Sequence, residues 1–263
     1  MEAMAFERAM LGRTGLEVGR LGIGASYGAP AAAVEEAVER GANYLYWGSM
    51  RRGGFRDALR NLAPRRERLV LVVQSYTRAA ALLGWSLERA LRAARTEYAD
   101  VLLLGLWNRA APERIMEAAR RLRERGLARH VAVSTHHRPL IAKLGASEVE
   151  VFHVRYNAVH RGAEQDVFPL LPAPPPGIVS FTATSWRQLL DGRRVPAGEA
   201  VPAAADCYRF VLSNPAVHVC LAGPANVAQM REALAAWEVG PLDAERLAWM
   251  RRVGAAIYRG KRR

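Results

Sequence analysis

Three polar side chains stand at or near the carboxyl ends of apolar runs, where buried strands would deliver them to a common rim: Tyr46, Gln74 and His153. A phenol, an amide and an imidazole can surround a small polar substrate and exchange hydrogen bonds or protons with it. These three form the candidate catalytic set. Tyr46 is the candidate acid, which requires its pKa to fall toward neutrality from about 10; Arg51, Arg52 or a rim histidine could favour the phenolate. The competing reading is that Tyr46 only fills space.

The other residues at strand ends are Trp47, Tyr76, Trp107, Asn108, His136, His137, Arg155, Tyr156, Asn157, Thr184 and Trp186. Rings dominate and carboxylates are scarce, a composition suited to a flat or aromatic ligand held by stacking and a few polar contacts. The alternative is that several rings pack beneath loops. His136 and His137 are adjacent on an extended segment, so they point apart, and no acidic or cysteine partner stands at ligand spacing; no metal site is expected. His153 is expected to contact a ligand or Ser134. Arg155 either meets an acidic ligand group or pairs with Asp100 or Glu150. The segment Gly48-Ser49-Met50-Arg51-Arg52-Gly53-Gly54 lacks the Gly-Lys-Ser or Gly-Lys-Thr of a phosphate loop, so its glycines read as a tight turn before a helix.

The elements that must position these groups alternate. Strand-length apolar runs lie at Leu21–Ala25, Asn43–Trp47, Leu69–Ser75, Asp100–Leu106, His130–Ser134, Val151–Tyr156, Gly177–Ala183 and Val217–Ala222. Continuous apolar runs are what strands buried on both faces require. Amphipathic segments separate them, near Ala31–Arg40, Phe55–Leu62, Leu83–Arg95, Pro112–Arg125, Pro139–Ala146, Glu164–Leu171, Ala203–Ser213 and Asn226–Ala236. Eight such repeats imply an α/β fold closed as a (β/α)8 TIM barrel, with the site on the rim at the strands' C-terminal ends. Ala5–Val18 reads as an N-terminal β-hairpin turning at Arg13-Thr14-Gly15 and plugging the barrel bottom, and Asp243–Ile257 as an extra C-terminal helix. One domain over residues 1–263 accommodates this.

The composition restricts the partners. No long uncharged apolar run is present, and Glu2, Glu7, Arg8 and Arg13 interrupt the first twenty residues, so no membrane segment and a cytoplasmic location are expected. The net charge of +13 comes almost wholly from arginine, as in Arg114, Arg120, Arg121, Arg123 and Arg125, interleaved with Glu113, Glu117 and Glu124. That pattern reads as solvated helix faces, and nucleic acid is not the expected partner. Cys207 and Cys220 read as buried free thiols. A small molecule at the barrel mouth is the expected partner.

Beyond the alternation, the chain resembles the aldo/keto reductases along nearly its whole length. Leu11-Gly12-Arg13-Thr14-Gly15-Leu16-Glu17-Val18 with Arg20-Leu21-Gly22-Ile23-Gly24 is similar to the family's opening. Gly41-Ala42-Asn43-Tyr44, Tyr98 through Leu104, Gly126 through Ser134, and Val154-Arg155-Tyr156-Asn157 resemble its second, fourth, fifth and sixth strands. Val211 through Pro215 with Gly223 through Glu232 resembles its last helix, strand and cofactor loop.

The resemblance implies a nicotinamide-dependent oxidoreductase, NADP or NAD being the cofactor, with Ser134, His153, Thr182, Gly223, Asn226, Gln229 and Glu232 as cofactor-binding positions. Two departures weaken the preference for NADP: Ala225 where a cation usually meets the 2′-phosphate, and Ala233 where an Asn meets adenine. The family's Asp, Tyr, Lys and His are also replaced in register, by Tyr46, Arg51 or a neighbour, Gln74 and Gly105. The expectation is therefore an aldo/keto reductase-like oxidoreductase with a non-standard active site, in which ordinary carbonyl reduction is doubtful. The alternative is a non-catalytic barrel that binds a nucleotide-like or aromatic ligand or a protein partner.

Overall fold

The computed structural model describes residues 5–48 and 53–260. The chain opens with an antiparallel pair, β1 (Ala9–Met10) and β2 (Glu17–Val18). A 3-10 turn at Gly12–Thr14 joins them, and Gly15 follows at φ +74°, a left-handed conformation open to glycine at little cost. Arg13 donates to the carbonyls of Gly145, Ser147 and Val149 at 2.6 to 3.0 Å, which ties the hairpin to the chain just ahead of a barrel strand. Leu11 and Val18, both fully buried, join the barrel interior from below, so the hairpin is the expected plug.

Eight parallel strands close the barrel: β3 (Leu21–Gly24), β4 (Tyr44–Trp47), β5 (Val70–Ser75), β6 (Ala99–Leu104), β7 (Ala128–Thr135), β8 (Val151–Arg155), β9 (Gly177–Phe181) and β10 (Val219–Ala222). They neighbour one another in sequence order, and β10 closes on β3 through Cys220↔Leu21 and Ala222↔Ile23. Alternation within each strand sorts the side chains. Tyr44, Val70, Val72, Val101, Leu103, Ala132, Val151, Val179 and Val219 fill the interior, while Leu45, Leu71, Val73, Leu102, Val131, Phe152 and Ile178 pack outward under the helices. The same alternation carries Tyr46, Gln74, Ser134, His153, Arg155 and Phe181 inward at the upper end.

The helices are α1 (Ala31–Glu39), α2 (Phe55–Asn61), α3 (Ala80–Ala94), α4 (Glu113–Glu124), α5 (Pro139–Leu144), α6 (Ala163–Asp166), α7 (Ala204–Leu212), α8 (Val227–Val239) and the additional α9 (Ala244–Gly260). On α4, Ile115, Met116, Ala119 and Leu122 are buried, whereas Arg121 pairs with Glu117 at 2.8 Å in solvent. Exposed pairs of this kind contribute about 0–1 kcal/mol each, so the apolar stripe docks the helix. One expected helix is shorter: Glu164–Leu171 breaks at Val167, whose φ of −131° leaves the helical region, and a 3-10 turn at Phe168–Leu170 follows with Pro169 in its first turn. Conversely, α3 starts at Ala80, ahead of its first fully buried residue, Leu83.

Among the described residues, no helix is long and apolar enough to cross a membrane. Both cysteines are free and buried, and burial raises each thiol's pKa, as expected of inert thiols.

Candidate active site at the barrel mouth

Strand β4 brings two phenols inward, Tyr44 and, one layer higher, Tyr46. Tyr44 is fully buried, and its hydroxyl lies 2.7 Å from His153 Nε2. The imidazole is 2% exposed, and burial lowers its pKa to about 3, while burial raises that of Tyr44 well above 10. Both groups are therefore neutral near pH 7. The arrangement that satisfies the buried hydroxyl has Tyr44 donating to Nε2, which leaves the ring proton on Nδ1 as a donor. The Ser134 contact considered for His153 is thus corrected: the ring nitrogen engages Tyr44, because the inward phenol of β4 reaches across the barrel. Ser134 sits beside His153 on the adjacent strand, paired through the backbone register alone.

Tyr46 donates its hydroxyl proton to Gln74 Oε1, and its ring lies 5.5 Å from that of His153. The three candidate residues are thus brought together, joined by Tyr44, which sequence reasoning missed. The signal was present: Tyr44 precedes Tyr46 by two residues and so shares its face. Gly105, just past β6, is closely covered by its neighbours. A Cβ there would stand 2.6 Å from Gln74 Nε2 and 2.7 Å from the Tyr76 ring. Any side chain at this position would have to displace both.

Around this centre, Ser134 Oγ accepts from Leu106 N at 2.7 Å, leaving its own proton free to donate. Thr182, at φ +60°, turns its hydroxyl onto the Phe181 carbonyl at 2.7 Å, and its carbonyl accepts from Asn157 Nδ2 at 2.7 Å. Its side chain is thus engaged with its own loop. The aromatic surface comes instead from the neighbouring Phe181, whose ring meets His136 edge-on at 5.6 Å. Burial and the charge of Arg155 lower the pKa of His136. Asn108 Oδ1 accepts from His136 N at 2.9 Å, so Asn108 shapes the loop after β7. His137 is exposed, and no group of three or more metal-binding side chains occurs among the described residues.

The rings divide between the two readings. Trp47 and Tyr156 are buried beneath the rim, Trp47 tilted against Phe55 and Tyr156 edge-on to Phe168 with its hydroxyl on Glu164 at 2.7 Å. Tyr76 and Trp186 remain open to a ligand, at 48% and 64% exposure. Trp107 is buried under the Arg78 guanidinium, 4.1 Å from its ring centre. Arg51 and Arg52, the suggested helpers of Tyr46, lie outside the described residues.

The pairing considered for Arg155 is also corrected. Asp100 is held by Arg66 at 2.8 Å and Arg129 at 3.2 Å, and Glu150 by His130 at 3.0 Å. Both acids lie at the amino-terminal end of the barrel, whereas Arg155 ends β8. Parallel strands separate these two ends by the full depth of the core.

Beyond β10, the Tyr27 ring lies on the backbone of Gly223, so close that a Cβ there would stand 2.2 Å from it. Asn226 caps α8, its Oδ1 accepting from Gln229 N at 2.9 Å, and Gln229 Oε1 accepts from Ala225 N at 2.8 Å. Glu232 Oε1 accepts from Ala204 N at 3.1 Å, where it caps α7. Ala225 is exposed and Ala233 buried. A cleft of about 540 Å³ lies away from this chemistry, beneath the barrel beside the hairpin, where Arg8 and Glu17 pair at 3.2 Å.

The fold and the inward polar set define an α/β barrel with a candidate site at the strands' carboxyl ends. Solved structures place that barrel more narrowly. The chain is similar to an aldo-keto reductase from Bacillus halodurans in its holo form, with a TM-score of 0.80 and 22% identity over 98% of this chain and 99% of that one. The apo form of that protein gives a TM-score of 0.78 at 23% identity. An aldo/keto reductase from Klebsiella pneumoniae, in complex with NADP and acetate, gives 0.77 at 20% identity over 95% of this chain and 96% of that one. The chain therefore has the aldo/keto reductase fold from end to end, including the hairpin. No family model matches it, and no curated protein matches it in sequence.

Proposed function

We propose that this protein is an aldo/keto reductase-like oxidoreductase that binds a nicotinamide dinucleotide across the barrel mouth and works without the family's charged proton-transfer set. The observation that carries the reading is the inward cluster of Tyr46, Gln74 and His153, built on a barrel that matches reductase structures over their full length.

The residues present fit the nicotinamide end of such a cofactor. Ser134 keeps a hydroxyl proton to donate, and His153 Nδ1 offers a second donor beside it, in the register position that the family resemblance gives to a glutamine amide. At the other end, α8 begins in an exposed loop whose first-turn amides favour an anion, and Asn226 and Gln229 keep their NH2 groups free of the capping bonds. Ala225 supplies no cation for a 2′-phosphate, so NAD fits this end as well as NADP. Thr182 supplies no ring for stacking. When bound, the cofactor would supply hydride chemistry; the chain orients the substrate and holds the nearby protons.

Those protons are held on neutral groups. The Tyr46 proton rests on Gln74 Oε1, and the Tyr44 proton on His153 Nε2. The positions that the family resemblance gives to an Asp and a Lys hold Tyr46 itself and Gln74, so a neutral phenol–amide bond stands where a charged pair would. A positioned acid is worth about 10²–10⁴ in rate, and that factor is expected to be missing from simple carbonyl reduction. The test is turnover of an aldehyde panel with NADPH and NADH, in wild type and Tyr46→Phe. Slow turnover that survives Tyr46→Phe supports the reading, and turnover abolished by it makes Tyr46 a true acid. Cofactor binding with no turnover of any carbonyl supports the second reading, a non-catalytic binder, which the closely covered position at Gly105 favours.

A further inference from the structure

At the mouth stands a cation, Arg155, that no described carboxylate pairs. Arg155 ends β8 on the inward face, one layer above His153, beside Phe181 of β9 in register. No carboxylate forms an ion pair with it among the described residues. The two nearest in sequence on the following helix are already taken: Glu164 by Arg251 at 2.8 Å and by the Tyr156 hydroxyl, and Asp166 by Arg138 at 2.7 Å. The charges that Arg155 feels are unfavourable or weak. Arg138 repels it, and burial lowers its pKa with only the Tyr258 phenol opposing. Its charge in turn disfavours protonation of His136, the ring on the neighbouring strand end.

A half-buried guanidinium with no partner costs desolvation energy that the folded chain does not recover. Other inner arginines of this chain are engaged, Arg66 and Arg251 by carboxylates and Arg20 by backbone carbonyls. An arginine left unpaired at the mouth of a ligand site, with five donors in a rigid fork and a phenyl ring alongside, has the chemistry that recognises a planar anion.

We propose that Arg155 is an anion-recognition residue of the barrel mouth, and that the ligand taken there carries a carboxylate or phosphate beside an apolar, ring-sized body. Phe181 and the exposed Tyr76 and Trp186 supply the apolar contact. The inference deepens the proposed function by naming a substrate class, although the anion site itself does not depend on cofactor binding.

The experiment uses the whole protein and three probes, followed by calorimetry or ligand-observed NMR: benzoate, its neutral counterpart benzamide, and NADPH. Wild type is expected to bind benzoate at least tenfold more tightly than benzamide, a preference that Arg155→Gln abolishes and Arg155→Lys partly keeps. The thermal midpoint of Arg155→Gln is expected to be unchanged or higher, since an unrecovered charge has been removed. If Arg155→Gln weakens NADPH and leaves benzoate untouched, the anion recognised is the cofactor's phosphate. If wild type binds benzoate but not NADPH, the anion site stands and the cofactor reading fails. If wild type does not discriminate benzoate from benzamide, and NADPH affinity is the same in wild type and Arg155→Gln, the proposal is overturned.

Discussion

His218 offers a quantitative test of how the barrel is closed. Its Nδ1 accepts the backbone N–H of Ile178 at 3.0 Å, while its own amide donates to the Ile178 carbonyl at 2.9 Å. The side chain thus completes the start of the β9–β10 seam. Arg20 lies alongside, donating to the His218 and Val217 carbonyls at 2.9 and 2.8 Å. Protonating the ring would remove the acceptor, orphan the Ile178 amide and set two cations together. Burial, followed by the Arg20 charge, accordingly lowers the His218 pKa from 6.5 to about 4. At 1.36 kcal/mol per pH unit, that gap corresponds to about 3 kcal/mol. A depressed folded-state pKa contributes stability that is complete above about 6.5. It is lost as pH falls toward about 4, because the unfolded chain takes up the proton first. The assay is denaturant unfolding of wild type and His218→Asn, followed by circular dichroism from pH about 8 down to about 4.5. Asn can accept from the same amide without titrating, and contributions from His153 and the carboxylates cancel in the difference. Wild-type stability relative to His218→Asn is expected to fall by about 2–3 kcal/mol over that range. A flat difference, or one that grows as pH falls, would refute the reasoning.

Three further outcomes follow from contacts at the mouth and base. Gly105→Ala is expected to destabilise by about 1–3 kcal/mol in a chemical melt, because its Cβ must displace Gln74 and Tyr76; wild-type stability in this variant would mean the space is open. Tyr44→Phe leaves His153 Nε2 buried without its partner and is expected to cost about 1–3 kcal/mol in the same chemical melt; a variant as stable as wild type would contradict the pairing. Arg13→Ala removes three bonds to the chain ahead of β8 and is expected to increase amide exchange in both the hairpin and residues 145–149; protection in that segment equal to wild type would contradict the pinning role.

The barrel was legible because parallel strands buried on both faces must be apolar throughout. Leu69–Ser75 and Val151–Tyr156 come within one residue of the observed β5 and β8. Helix ends were harder to read. Ala80 to Leu82 carry no buried periodicity, and Pro169 stopped α6 where the apolar pattern ran on. For the site, two-residue alternation sufficed to place Tyr46, Gln74 and His153 on one face, and the same rule applied one step earlier finds Tyr44. Tyr27 over Gly223 and Tyr76 against Gly105 were not legible, since each contact joins loops or strand ends set by tertiary packing. The pairing of Arg155 with Asp100 or Glu150 failed because opposite ends of parallel strands cannot meet, a constraint the strand assignments already contained.

In the proposed reading the mouth receives a nicotinamide ring between Ser134 and His153 and works without a charged proton-transfer set. Titrating NADPH and NADH against wild type, Ser134→Ala and His153→Leu, by quenching of tryptophan or reduced-cofactor fluorescence, tests this most directly. Saturable binding to wild type, weakened about tenfold by either substitution, is the expected result. No fluorescence change with either cofactor into the millimolar range, or binding indifferent to both substitutions, would contradict it.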